Sequence, residues 1–160
     1  MRLIYTEQLS KNQHQQIDFL WNKEYPKNLM NRFSMLLADA TDYRHFIIEN
    51  QQNIIVGWAV LFAAENETRF SILVDEIYKG KGLGGQLIDE LKKACPSFYG
   101  WVIDHSNDLK NDGSIYRSPL PFYVKQQFQV LNNQRLETPI ISAVKVKWQA
   151  EDLLVECPKK

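Results

Sequence analysis

A glycine-rich stretch in the middle of the chain restricts the fold more than any other. It runs Arg69-Phe-Ser-Ile-Leu-Val-Asp-Glu-Ile-Tyr-Lys-Gly-Lys-Gly-Leu-Gly-Gly-Gln-Leu-Ile-Asp-Glu-Leu-Lys-Lys-Ala-Cys95. Phe70 to Val74 is apolar and partly β-branched, which suits a buried strand. Leu83, Leu87, Ile88, Leu91, Ala94 and Cys95 fall on one helical face, and Pro96 stops the helix. Between strand and helix lie Lys79, Gly80, Lys81, Gly82, Leu83, Gly84 and Gly85. The first turn of a helix has N–H groups without intrahelical partners, and the helix dipole adds positive potential there. Glycines let an anion reach those groups, and two lysines add charge. The unit reads as a phosphate or pyrophosphate cradle.

The kind of phosphate is narrowed by what is missing. A P-loop requires Lys-Ser/Thr after its last glycine, and that pair is absent. Gly80, Gly82 and Gly85 fit Gly-x-Gly-x-x-Gly, with Asp104 further on, as in a dinucleotide site. However, Asp75 to Lys79 separate the strand from the first glycine, where that site has a tight turn. No βαβ pattern precedes it. A bare glycine turn with solvated lysines is the structural alternative. The remaining pattern is Arg/Gln-x-x-Gly-x-Gly/Ala, matched by Lys79-Gly80-Lys81-Gly82-Leu83-Gly84. Here the sequence resembles the GNAT N-acetyltransferase superfamily, whose acetyl-CoA pyrophosphate loop has that form. Lys79 stands for the usual Arg or Gln.

The flanking elements agree with the resemblance. Leu3 to Tyr5 suits a short strand. Ser10 and Gln13 form a capping box for a helix that ends near Tyr25-Pro26. Asn31 to Ala40 is helical in pattern. Trp21, Tyr25 and Phe33 make an aromatic group that is either core or a substrate wall. Strands are expected at Tyr43–Glu49, Ile54–Ala64 and Arg69–Val74, then Phe98–Asp104 after the helix, making a parallel βαβ pair. A long polar loop spans His105 to Ser118. A short helix is expected from Pro119 to Gln127, a strand from Phe128 to Leu131, a connection from Asn132 to Thr138, and a last strand from Ile140 to Trp148. The order implies an α/β (mixed α+β) fold. Its sheet would be mixed but mostly antiparallel, of about six to seven strands, with helices on both faces. Residues 1–150 read as one domain and 151–160 as a tail.

A second segment, Phe122-Tyr123-Val124-Lys125-Gln126-Gln127-Phe128, resembles the GNAT Phe-Tyr-x-Lys-x-Gly-Phe, with Gln127 in the glycine position. The resemblance gives Tyr123 the role of acid to the departing CoA thiolate; otherwise it is a core or substrate-contact tyrosine. It also implies that Ile72, Leu73 and Val74 pair with pantetheine, and that Val74 or a neighbour donates an oxyanion N–H. His105, beside Asp104, is a candidate base or proton relay, or else a hydrogen-bonded loop residue. Glu65 and Glu67 read as turn residues, the resemblance offering a glutamate base near that strand as the alternative, and His14 and His45 read as peripheral to the chemistry.

The implied activity is transfer of an acetyl group from acetyl-CoA to a primary amine, in a small molecule or a peptide, by direct attack in a ternary complex. A regulatory module that binds acyl-CoA without turnover is the alternative. Asp104, Asp108 and Asp112 give a mild preference for a cationic amine. No metal is expected, for want of Cys/His ligand spacing. The formal net charge is +0, which gives no electrostatic case for nucleic acid or an anionic membrane. No apolar run approaches a membrane span, and Cys95 and Cys157 make a poor disulfide pair, so a cytoplasmic setting is expected. GNAT domains often dimerise, which leaves a homodimer open.

Overall fold

The computed structural model describes residues 1–38 and 40–151. Seven strands form one sheet in the order β1-β2-β3-β4-β5-β7-β6. They are β1 (Arg2–Thr6), β2 (Thr41–Glu49), β3 (Ile55–Ala64), β4 (Glu67–Val74), β5 (Ser97–Val102), β6 (Gln129–Glu137) and β7 (Ser142–Gln149). The helices are α1 (Lys11–Glu24), α2 (Phe33–Ala38), α3 (Leu83–Ala94) and α4 (Leu120–Lys125). The Ser10–Gln13 capping box is present at α1, with Gln13 N–H on Ser10 Oγ and Ser10 N–H on Gln13 Oε1.

Period-two alternation along β4 divides the core between two faces. Phe70, Ile72 and Val74 pack with Leu83, Leu87, Ile88 and Leu91 of α3. Leu73 faces the other way, among Ile17, Leu20, Trp21, Phe33 and Trp58. Gly100 on β5 is a packing requirement: a Cβ there would lie 2.5 Å from Phe70 Cε1. Every strand pairing is antiparallel except β4 with β5. Those two share a single register pair, Arg69 with Tyr99. Beyond it they diverge, and the sheet opens into a V.

Two local readings change. The second N-terminal helix is shorter than Asn31–Ala40: a 3-10 turn at Lys27–Leu29 and a left-handed Asn31 (φ 63°) precede α2. Asn132 to Thr138 is mostly strand rather than a connection, because β6 continues to Glu137 past a register shift between Leu131 and Arg135. Its exposed, polar residues disguise it in the sequence. His45, read as peripheral to the chemistry, is buried within the fold, and Trp58 Nε1 donates to its Nδ1 at 3.1 Å. Cys95 is buried as expected, while Cys157 and the tail beyond Glu151 lie outside the described residues.

Candidate active site

The V encloses a cavity of about 1000 Å³, lined by β4, the loop before α3, the start of α4, α1 and the 103–118 loop. At one end is the cradle. Gly80 and Gly82 take φ of 79° and 85°, a region costly for any residue with a Cβ. Gly82 is the N-cap of α3, and the first amide that returns to the helix is Gln86 N–H on Gly82 O. Among the described residues, no protein acceptor takes the amides of Gly80 to Gly85. Gly84 lies against α4, where a Cβ would come within 3.1 Å of Phe122 Cζ. Six amides around a helix N-terminus are therefore left without a protein acceptor, five of them on residues that line the cavity, which fits a pyrophosphate.

The lysines contribute less charge to the cradle than their positions suggest. Lys79 Nζ lies 2.9 Å from Glu76 and 3.8 Å from Glu24. Lys81 Nζ sits over the Tyr78 ring, 5.4 Å from its centroid, and is not part of the lining. Glu24, only 3% exposed, is the hub of an ion cluster. It meets Lys110 at 3.2 Å and Lys23 at 3.7 Å, and it accepts the Glu76 N–H at 2.9 Å. This cluster ties the cradle loop to the end of α1 and to the long loop.

The strand edge follows from register. Asp75 N–H donates to Val56 O, which makes Asp75 and Val56 a hydrogen-bonded pair. Alternation then turns the N–H and C=O groups of Ile72 and Val74 away from β3, toward the side that β5 has left. The Tyr25 hydroxyl already reaches Ile72 O there, at 3.4 Å. Ile72 to Val74 thus present an open edge to which an extended amide-bearing chain can add.

Tyr123 stands across the cavity on α4. It is 6% exposed and lies in contact with the rings of Phe70, Phe122 and Phe128. Burial pushes its phenol well above the usual pKa, and the neighbouring Tyr25 and Tyr116 add to this. It therefore keeps its proton at neutral pH and remains a donor. α4 ends in a Schellman motif: Gln127 N–H donates to Val124 O and Phe128 N–H to Tyr123 O. Gln127 adopts the left-handed conformation, φ 69°, that the motif requires. The turn survives without glycine, and the Tyr123–Phe128 contact closes it.

The opposite half of the cavity is formed by Trp21, Tyr25, Arg69, Ser71, Trp101 and Tyr116. The Tyr25 hydroxyl lies 3.3 Å from Ser71 Oγ. The sequence left Trp21, Tyr25 and Phe33 open between core and substrate wall; Trp21 and Tyr25 line the cavity, Phe33 is core, and Arg69, Tyr116, Glu24 and Lys110 were passed over. The available signal was Arg69 alone: a charged residue opening an otherwise buried strand. Ile72, Leu73, Val74, Lys79, Gly80, Gly82, Leu83, Gly84, Gly85 and Tyr123 line one cavity. His105 does not line it. Its Nδ1 accepts the Asn107 N–H at 3.2 Å and its Nε2 is 4.0 Å from Asp108. Nor does Glu67, which pairs with Lys145 and Lys147. Asp104 is held by a two-pronged contact from Arg135, at 2.8 and 3.0 Å.

A mixed sheet split between two parallel strands, with a free-amide cradle at one end of the split, makes a site suited to a phosphate-bearing ligand with an extended amide-bearing arm. Comparison with known proteins narrows the class. The acetyltransferase (GNAT) domain matches residues 41–130, more than half of the chain, and the protein belongs to the GNAT family of acetyltransferases. Solved structures share the fold at low identity. ElaA of Escherichia coli superposes with a TM-score of 0.69 at 14% identity, covering 93% of this chain and 100% of that one. The aminoglycoside 6'-N-acetyltransferase of Enterococcus faecium gives 0.67 at 12%, covering 99% and 100%. The ribosomal-protein-S18-alanine N-acetyltransferase of Escherichia coli gives 0.60 at 15%, covering 95% and 99%. A search of curated protein sequences found no significant match.

Proposed function

We propose that the protein transfers an acetyl group from acetyl-CoA to a primary amine, by direct attack with both substrates bound. The observation that carries this reading is the alignment of three features along one cavity: the unpartnered amides of Gly80 to Gly85, the open edge of Ile72 to Val74, and the buried hydroxyl-bearing Tyr123. Acetyl-CoA, when bound, supplies an acyl group activated as a thioester. The glycine amides and the α3 dipole hold its pyrophosphate. The edge of β4 orients the pantetheine arm, and the N–H groups of Ile72 and Val74 offer donors to a carbonyl oxygen as negative charge builds on it. Tyr123 keeps a proton available for the departing sulfur. The burial that raises its pKa acts on a thiolate in the same place, so the two stay matched better than their values of about 10 and 8.5 in water suggest.

The ring wall of Trp21, Tyr25, Trp101 and Tyr116 receives the acceptor and limits access of water to the reacting atoms. The reading is tested by following thiol release from acetyl-CoA in the presence of a panel of amines. Amine-dependent release with stoichiometric amide formation is expected. Tight acetyl-CoA binding with no transfer to any amine would favour a binding module instead.

A further inference from the structure

Arg69 is a half-buried charge of the cavity that the transfer chemistry does not use. It sits at the closed end of the V: with Tyr99 it makes the register pair of β4 and β5. Alternation puts it on the same face of β4 as Ser71 and Leu73, toward α1 and away from α3. It therefore lies in the acceptor half, opposite to the cradle. Its Nε is shielded from water and has no hydrogen-bond partner, and no carboxylate among the described residues lies within ion-pair distance of the guanidinium. Its one charge-related contact is with the face of Phe62, 5.7 Å from the ring centroid. Burial lowers its pKa, and the ionisable groups that oppose this are the phenols of Tyr99 and Tyr25 and the carboxylate of Glu65, with which it forms no ion pair.

The carboxylates of the cavity are spoken for, and its one other guanidinium among the described residues, Arg117, is exposed on the long loop. Glu24 and Glu76 are shared among Lys79 and Lys110, with Lys23 also on Glu24. Asp112 accepts from the Ser114 hydroxyl and N–H at 2.6 and 2.9 Å. Asp104 and Asp108, which suggested a cationic acceptor, do not line the cavity. The acceptor half thus offers no unengaged carboxylate and, at Arg69, a half-buried guanidinium with no ion pair. A buried charge without a counter-ion is costly unless a ligand completes it. The planar fork of a guanidinium matches a carboxylate in particular.

Resting on the acetyltransferase reading above, we infer that the acceptor is an amine that also carries a carboxylate, and that Arg69 anchors that carboxylate at the base of the V. Arg69 is three residues from Ile72, roughly 10 Å along the strand. The amine and the carboxylate of the acceptor are therefore separated by several bonds, as in an ω-amino acid or a short peptide, rather than attached to one carbon. Polyamines and other multiply cationic amines meet the wrong charge.

The test uses matched acceptors at saturating acetyl-CoA: 6-aminohexanoate, lysine and glycylglycine, each against its carboxamide, with 1,6-diaminohexane as the dication. Acetyl-CoA affinity is measured separately by calorimetry. The wild-type protein should prefer each carboxylate to its carboxamide by at least tenfold in kcat/KM, and 1,6-diaminohexane should be the poorest acceptor. In Arg69→Gln that preference should fall below about threefold, and Arg69→Lys should restore part of it, while acetyl-CoA affinity changes by less than twofold. Arg69→Gln also removes a desolvated charge, so its Tm should not fall; 6-aminohexanoate should raise the Tm of the wild-type protein and leave that of the variant unmoved. Equal use of carboxylate and carboxamide, preference for the diamine, a preference that survives Arg69→Gln, or no transfer to any of these amines by a protein that binds acetyl-CoA would each overturn the inference. Failure to bind acetyl-CoA would instead overturn the reading beneath it.

Discussion

Two residues carry most of the proposed chemistry, and each makes a separable prediction. Tyr123 holds its proton because it is buried among Phe70, Phe122 and Phe128. Tyr123→Phe keeps that packing and removes only the hydroxyl, so kcat should fall about 10²-fold, in the range of a lost general acid, with acetyl-CoA affinity within a factor of two. An unchanged kcat would remove Tyr123 from the transfer step. Gly82 is the N-cap of α3 at φ 85°. A β-branched residue there must either strain the backbone or turn the amides away from the cavity. Gly82→Val should weaken acetyl-CoA binding by at least tenfold in a calorimetric titration, with the far-ultraviolet spectrum retained; unaltered affinity would place the pyrophosphate elsewhere. The glycines were legible in the sequence because spacing alone defines a cradle. The engagement of Lys79 by Glu24 and Glu76 was not, since Glu24 is distant in sequence and only the fold brings it there.

At the scale of elements, helix starts and strand positions followed from local signals, such as the Ser10–Gln13 box and the apolar runs of β2 to β4. The end of α4 shows where local rules bend. Its Schellman turn has both diagnostic hydrogen bonds although Gln127 occupies the left-handed position. The tertiary contact between Tyr123 and Phe128 maintains a turn whose sequence disfavours it. Gln127→Gly should relieve that strain and stabilise the protein by about 1 kcal/mol, less than the full left-handed penalty because glycine also loses more entropy on folding. Urea denaturation checks this; a loss of stability would mean that the Gln127 side chain contributes more than its backbone costs. The far half of β6 illustrates the opposite failure. Its exposed polar residues carry no hydrophobic alternation, so only its pairing with β7 identifies it as strand.

For the whole molecule, the V between β4 and β5 organises both the site and the packing, and it could not be read from either strand alone. It arises because the two strands pair at Arg69 and Tyr99 and nowhere else, while β5 continues its pairing with β7. Global stability has a pH signature of its own. His45 is buried on β2, and burial, with some help from His14, lowers its pKa to about 4. Between pH 6.5 and 4 the unfolded chain binds a proton that the folded chain refuses. Stability is therefore complete above about pH 6.5 and falls as the pH drops through this window, by ~3 kcal/mol at most for this group. His45→Gln, which keeps an acceptor for Trp58 Nε1, should show a flatter dependence than wild type in urea unfolding from pH 7 to 4.5. Parallel curves would show that His45 does not contribute to acid sensitivity.

The central claim is that this cavity binds acetyl-CoA through the α3 cradle and the open edge of β4. Isothermal titration of the full chain with acetyl-CoA, with NADH as the comparison, tests it most directly. The account predicts one site of micromolar affinity for acetyl-CoA and no heat from NADH. Binding of NADH without acetyl-CoA, or of neither, would contradict it.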